Sequence, residues 1–221
     1  MGNNRSNHLK TIQELKKDKN SNTFPFNNNK IITISEDYCL SHSEITELYY
    51  IFVQLDHDST GYIEKESFYL LLREKKSSVV SFYADYFFEI IPKKFKDKID
   101  FFEWIMGIID FGLANEDMLL RFVFRLIDNN NDQKISIKNM YRVLASKKHG
   151  KCCFPINSCF LLEKLELKKE LIDFNEFKEL QEKLFFLIYP AFKLNERIQE
   201  RVLGPEFWLR QVNQLNSKIK R

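Results

Sequence analysis

Oxygen-bearing groups recur at alternate positions of LDHDSTGYIEKESF, residues 55–68: Asp56, Asp58, Thr60, the Tyr62 carbonyl and Glu64. A loop that presents oxygens in this alternation wraps a hard divalent cation such as calcium, provided that it bends sharply midway, where Gly61 stands. The twelfth position of such a loop normally supplies both oxygens of a glutamate. Here it is Ser67, with a single neutral hydroxyl. Glu66 lies one residue early, and one helical step of about 100° aims it elsewhere. The stretch is expected either to bind calcium weakly or to hold itself by its own turn chemistry.

A second candidate, DNNNDQKISIKN, offers Asp128, Asn130, Asp132, the Lys134 carbonyl and Ser136. Gln133 takes the bend position, and a bulky residue forced to positive φ costs about 1 kcal/mol. Asn139 stands twelfth and brings one neutral oxygen, so binding here is expected to be weaker still. Two further stretches, PKKFKDKIDFFE and LELKKELIDFNE, carry Pro92, Lys94 and Lys96, and Leu165, Leu167 and Lys169, where ligands belong. They keep Asp100 and Asp173 at the ninth position and Glu103 and Glu176 at the twelfth. A lysine ammonium can stand in for the missing cation beside those carboxylates, or the lysines are simply solvated.

Elements of a definite kind must hold these loops. Ile63, Ile99, Ile135 and Ile172 recur at steps of 36, 36 and 37 residues. Phe52, Phe88 and Phe124 precede the first three by a constant interval, and Phe68, Trp104, Met140 and Phe177 follow all four by another. Ser41 and Glu44 make an S-x-x-E capping box, behind which Ile45, Leu48, Tyr49, Phe52 and Val53 share a helix face. Phe82, Tyr83, Tyr86, Phe87 and Ile90 repeat the spacing, and Asn115 is a suitable N-cap for a helix carrying Leu119, Phe122, Val123 and Leu126. A second helix follows each isoleucine, so the unit is helix, loop, helix.

This unit resembles the EF-hand over residues 42–188, and the four isoleucines match the family's apolar loop position, which pairs with a neighbouring loop in a short ribbon. The resemblance implies an all-α fold of four EF-hand helix-loop-helix units in two paired lobes, residues 40–113 and 114–189. A flexible N-terminal arm, 1–36, is expected before them and a helical tail, 190–221, after them. LSHSEITELYYIFVQLD is similar to the first helix of calcineurin B homologous proteins, and loss of metal loops is also seen among such relatives. Ser67, Asn139, the short 147–159 connection and the long Trp-bearing tail depart from that pattern.

MGNNRS fits the acceptor pattern for N-myristoylation at Gly2, and calcineurin B and the neuronal calcium sensors begin in the same way. One acyl chain anchors only marginally, and Arg5, Lys10, Lys16 and Lys17 make a modest basic patch beside it. In the tail, Ile198, Val202 and Leu203 share a face, Gly204-Pro205 is expected to stop the helix, and Phe207, Trp208 and Val212 suggest another short turn. The tail either fills the chain's own groove or offers Phe207 and Trp208, with Trp104, to a partner.

The remaining composition narrows the classes. Four cysteines without CxxC spacing read as free thiols, and the N-terminus has no secretory apolar core, which implies cytoplasm. A net charge of +3 gives no ground for nucleic-acid binding. No Walker loop, GxGxxG or HExxH is found, and His149 near Cys152 and Cys153 lacks a third orienting residue, so the chain is not expected to be an enzyme. Two functions remain open. One is an adaptor or regulatory subunit that binds an amphipathic helix of a partner protein, with weak or vestigial calcium binding and peripheral membrane contact through a myristoyl group. The other is a calcium-independent structural EF-hand component of a cytoskeletal or ciliary assembly.

Overall fold

Ile63 lies opposite Ile99 where β1 (Tyr62–Glu64) and β2 (Lys98–Asp100) pair antiparallel, and Ile135 exchanges backbone hydrogen bonds of 2.9 Å with Ile172. The repeated isoleucines thus join neighbouring loops two by two, as their spacing predicts. All four are buried, as are Phe68, Trp104, Met140 and Phe177 beneath them. This is a computed structural model that describes residues 29–75, 78–144, 162, 164 and 169–219. The chain is mostly helical, in keeping with the all-α expectation, and the β1–β2 ribbon is the single sheet among the described residues.

The first pair of loops is framed by α2 (His42–Leu55), α3 (Lys65–Leu72), α4 (Val79–Ile90) and α5 (Phe101–Gly112). The capping box that starts α2 is formed: Glu44 N–H reaches Ser41 Oγ at 3.3 Å and Ser41 N–H reaches Glu44 Oε2 at 2.7 Å. Rings fill the space between these helices. Phe52 stands 5.4 Å from Phe101 and 5.9 Å from Trp104, and Phe87 stands 4.6 Å from Phe111.

Downstream, α6 (Glu116–Ile127) is capped by Asn115, whose Oδ1 accepts Met118 N–H at 3.0 Å. It leads into the third loop and α7 (Ile137–Leu144). The helix expected ahead of the fourth loop falls at 145–168, outside the described residues except for Leu162 and Lys164, as do Cys152, Cys153, Cys159 and His149. After that loop come α8 (Phe174–Glu179), α9 (Phe185–Arg201) and α10 (Gly204–Ile219).

Three boundaries differ from the sequence reading. Residues 29–36, assigned to a flexible arm, belong to α1 (Asn29–Asp37), which buries Ile31 and Ile34 and packs on α5. No helical anchor beyond that pair marks it, so tertiary burial decides the segment. The division at 189/190 falls inside α9, which carries Pro190 in its interior and continues on both sides. Third, Gly204-Pro205 opens a helix as well as closing one. Leu203 and Gly204 turn the chain at φ of 60° and 74°, and Pro205 sits in the first turn of α10, where its missing N–H costs nothing. The tail is helical as expected, and the turn suggested around Phe207, Trp208 and Val212 belongs to one helix of 16 residues. No helix among the described residues is long and apolar enough to cross a membrane.

Candidate functional site

In the first loop Asp56 closes the helix-to-loop corner. Its Oδ1 accepts Thr60 N–H at 2.9 Å and its Oδ2 accepts Gly61 N–H at 2.8 Å, while Gly61 takes φ of +79°, the bend its lack of a side chain permits. Thr60 Oγ1 donates weakly to the Tyr62 carbonyl at 3.3 Å. Asp58 and Glu64 are exposed, and Glu64 precedes α3 without a side-chain cap. Ser67 lies in the first turn of α3 and brings no carboxylate. These hydrogen bonds join the Asp56 carboxylate, the Thr60 hydroxyl and the Tyr62 carbonyl, while Asp58 stands exposed.

The third loop follows the same plan with poorer parts. Asp128 is buried and accepts Asp132 N–H at 3.2 Å and Gln133 N–H at 2.9 Å. Gln133 adopts φ of 62°, the strained bend its position demands, and Asn131 stands at 55°. Asn130 donates to Asp132 Oδ2 at 2.7 Å, and Asp132 Oδ1 takes Lys134 N–H at 2.9 Å. Asn139, at the twelfth position, faces Ser136: its Oδ1 accepts Ser136 N–H at 2.9 Å and Ser136 Oγ–H at 2.6 Å. Its oxygen is spent on an N-terminal cap. Among the described residues no three His, Cys, Asp or Glu side chains converge as a metal cluster.

Loops two and four close themselves. Glu103, only 7% exposed, accepts Lys94 N–H at 2.7 Å through Oε1 and Asp100 N–H at 2.8 Å through Oε2. One carboxylate thereby ties the entering half of the loop to the exiting helix, the connection that a bound cation makes in a functional loop. The Lys94 ammonium stands 3.8 Å from Asp100, so in this loop the main chain of the lysine meets Glu103. In loop four the ammonium itself does so: Lys169 Nζ lies 2.5 Å from Glu176 Oε1, and Glu176 Oε2 accepts Asp173 N–H at 3.0 Å. The hydrogen bond from Lys169 holds the Glu176 carboxyl below the usual carboxylate range, and the carboxylate raises the lysine in return. Leu165 and Leu167 lie outside the described residues, as does Gly2.

The tryptophans and Phe207 are buried. Trp104 is 0% exposed, Trp208 2% and Phe207 6%, so of the two arrangements weighed for the tail the structure shows it packed on its own chain. Burial of such large rings is the reason: the tail covers its own apolar face. Helix α9 lies across α3, α4, α5 and α6 and also meets α10. Leu187, Ala191, Leu194 and Ile198 are fully buried there at helical spacing. Tyr83, also fully buried, donates from its hydroxyl to the Leu187 carbonyl at 2.6 Å, and burial pushes that phenol well above its ordinary pKa. Asn195 Nδ2 reaches the Phe111 carbonyl at 2.6 Å and Gln199 Nε2 the Gly112 carbonyl at 2.7 Å, satisfying the open end of α5. Arg197 pairs with Glu74 at 3.7 Å.

Helix α10 then folds over the junction. The Trp208 indole N–H donates to the Val202 carbonyl at 2.9 Å, its ring rests on Gly112, and Arg210 bonds Glu44 at the start of α2. Sequence reasoning missed Tyr83, Glu74 and Gly112 as parts of this seat. The signal for Gly112 was a glycine at a helix end, followed far downstream by a tryptophan. A separate cleft of about 540 Å³ between α1 and loop two is lined by Lys30, Lys93 and Lys94 against Asp37, Asp100 and Glu103, a balance that selects no ligand of one sign.

No family model matches the chain. The type 2 calcineurin B of Rattus norvegicus is 31% identical over 104 residues, 47% of this chain and 57% of that protein. The calcineurin B of Candida glabrata is 30% identical over 113 residues, 51% and 62% respectively. The type 2 calcineurin B of Mus musculus is 32% identical over 102 residues, 46% and 55%. The chain spans somewhat over half the length of these curated relatives. Among solved structures, a chain of the Chaetomium theromophilum TREX2 CID domain complex aligns with 66% of this chain and 94% of its own length at 20% identity, but with a TM-score of 0.28 it supports nothing further. The chain is related to calcineurin B and shares its EF-hand character.

Proposed function

We propose that this calcineurin B-like chain is a non-catalytic adaptor or regulatory subunit that binds an amphipathic helix of a partner protein. The observation that carries this reading is the trough across α3, α4, α5 and α6, whose walls fit a helix closely enough to bury Leu187, Ala191, Leu194 and Ile198 of α9. A groove lined with Phe, Ile and Leu reads apolar anchors on one helix face. The relatives are named as subunits of calcineurin, which agrees with a role beside another protein's active centre.

Calcium plays a minor part in this proposal. The first and third loops, with Asp56, Asp58 and Thr60 and with Asp128 and Asp132, hold the ion weakly, and loops two and four work without it. Myristoylation at Gly2 supplies peripheral membrane contact, and the site of action is the cytoplasm. Self-closure of loop two by Glu103 also favours a second reading, a calcium-independent structural component of a cytoskeletal or ciliary assembly.

Expression of the full chain in its own cells, brief chemical cross-linking and identification of co-purified proteins tests the first reading. One partner at equal stoichiometry, cross-linked through a helix, is expected. Recovery of filament or axonemal proteins in its place would move the assignment to the second reading, and recovery of no stoichiometric partner would defeat both. Calorimetry with millimolar calcium measures the weak sites, and the mass of the native N-terminal peptide reports on Gly2.

A further inference from the structure

Loop two has lost its calcium ligands, and what stands in their place has a chemistry of its own. Its segment PKKFKDKIDFFE sets Lys93, Lys94, Lys96 and Lys98 against Asp97, Asp100 and Glu103, so the charges nearly cancel along the sequence. The fold sorts them. Asp100 caps α5, its Oδ1 accepting Phe102 N–H and Glu103 N–H at 2.9 Å each, and Glu103 is committed to the main chain of Lys94 and Asp100. Lys93 closes the end of α4 by donating to the Phe88 and Glu89 carbonyls. Lys94 and Lys96 are exposed, and Lys94 keeps 64% of its side chain in solvent despite the Asp100 carboxylate at 3.8 Å. Of the three acids only Asp97 is exposed.

Phe95 stands among these cations with 45% of its surface in water. Its ring meets Tyr62 edge to face at 5.4 Å, and Lys98 Nζ lies 4.3 Å from the Tyr62 ring centre and 4.7 Å from that of Phe95. Two rings and an ammonium thus brace one another beside the β1–β2 ribbon, where Glu64 is the acid opposite Lys98. Phe95, Lys96 and Lys98 lie outside the cleft between α1 and loop two, so the ring caps a projection and fills no groove.

A projecting ring flanked by lysines suits the boundary between water and lipid. The ring enters the headgroup layer, and the ammonium groups stay with the lipid phosphates. An acidic protein surface would satisfy the lysines but would need a pocket for Phe95, whereas a bilayer accepts the ring anywhere on its surface. We propose that loop two is a docking surface for anionic phospholipid, with Phe95 entering the headgroup layer and Lys94, Lys96 and Lys98 meeting its anionic groups. This rests on the peripheral membrane contact in the reading above and deepens it, since one acyl chain anchors marginally and a basic patch supplies the second attachment.

The probe is vesicles of phosphatidylcholine and phosphatidylserine in equal parts, mixed with the full-length chain made without an acyl group, in chelator and about 0.1 M salt. The chain is expected to sediment with these vesicles and to stay in solution with pure phosphatidylcholine. One basic side chain near such a surface is worth about five-fold in partition, so Lys94→Gln combined with Lys96→Gln should lower binding about twenty-five-fold. Asp97→Asn removes the opposing charge and should raise binding about five-fold. The exposed half of its ring should make Phe95→Ala cost about five-fold. In Phe95→Trp the introduced indole should blue-shift on the vesicles and be quenched by brominated lipid, against the buried Trp104 and Trp208.

Equal sedimentation with neutral and anionic vesicles, no sedimentation with either, or lysine and Phe95 variants that bind as the unaltered chain does would each overturn the proposal. If polyglutamate binds with the same dependence on Lys94 and Lys96 while the introduced indole neither shifts nor is quenched on vesicles, the surface belongs to an acidic protein and the lipid proposal falls. Near-ultraviolet circular dichroism checks each variant, and should one fail to fold, the gain expected of Asp97→Asn decides. Because the chain tested carries no acyl group, a failure here leaves the Gly2 reading standing. Vesicle binding through Phe95 in a protein whose native N-terminus is unmodified would remove the acyl chain and keep loop two.

Discussion

Replacing Glu103 by alanine isolates the metal-free closure of loop two. The carboxylate is nearly buried and receives two short main-chain hydrogen bonds, from Lys94 at 2.7 Å and from Asp100 at 2.8 Å. A hydrogen bond to a charged group contributes about 1.5–3 kcal/mol where solvent is excluded. The Lys94 side chain is largely exposed, so water can reclaim that N–H after truncation, and its share lies at the lower end. Asp100 is better shielded. Together they give a loss of about 3–4.5 kcal/mol for Glu103→Ala, and about 1.5–3 kcal/mol for Glu103→Gln, which keeps one acceptor oxygen. Glu176→Ala in loop four removes a solvated counterpart and should cost clearly less than Glu103→Ala. Urea unfolding followed by far-ultraviolet circular dichroism, run in chelator and again in millimolar calcium, measures all three. The Glu103 losses should be equal in both media, because the carboxylate is already committed to the backbone. A loss below about 1 kcal/mol for Glu103→Ala, or one present only in chelator, would refute closure by the side chain.

Other perturbations reach other parts of the molecule. Ser67→Glu restores a bidentate carboxylate to the first loop and should bring calcium binding into the range of about 10⁻⁷–10⁻⁵ M, read by calorimetry. For Glu44, burial opposes ionisation, but bonds from Ser41 and Arg210 outweigh it and hold the carboxyl below its ordinary value. A depressed folded pKa contributes stability above the unfolded value of about 4.3 and loses it as pH falls through the folded one, so the gap between the native chain and Glu44→Gln should close on acidification below about 4. Ile99→Ala, at the centre of the ribbon and fully buried, should cost about 2–5 kcal/mol in chemical unfolding. Since Trp104 and Trp208 are both packed inside, adding millimolar calcium should shift tryptophan emission by little, and a large red shift would show that the ion opens the first pair of loops.

How much of this was legible depended on whether local spacing or distant packing decided each element. The isoleucine register could be read because a ribbon needs an apolar residue at one fixed loop position, and Ile63–Ile99 and Ile135–Ile172 meet there. The Ser41–Glu44 box and the Asn115 cap could be read because a cap is a local bargain between neighbours. The strained bend at Gln133 followed from its place in the loop. Helix α1 could not, since Asn29–Asp37 carries two buried anchors in a polar stretch and forms against α5. Pro190 and Gly204 misled for a shared reason: each is a breaker in isolation. A proline is borne inside α9 where Tyr83 takes up a neighbouring carbonyl, and a Gly-Pro pair suits a helix start as well as a stop.

The loops and the tail point to one physical consequence. In a calcium switch, the ion joins the two halves of each loop, and that junction moves the exiting helix to open a groove. Here Glu103 makes a junction in loop two with its own carboxylate, which ties the start of α5 to the entering half of the loop. A groove opened permanently would expose the apolar face of α3–α6, and soluble chains do not tolerate a patch of that kind uncovered. Helix α9 covers it, and its Asn195 and Gln199 cap the same α5 whose start Glu103 fixes. The two ends of α5 are thus held by side chains of this chain, Glu103 at its start and Asn195 and Gln199 at its end, so Glu103→Ala should loosen α5 and with it the seat of α9.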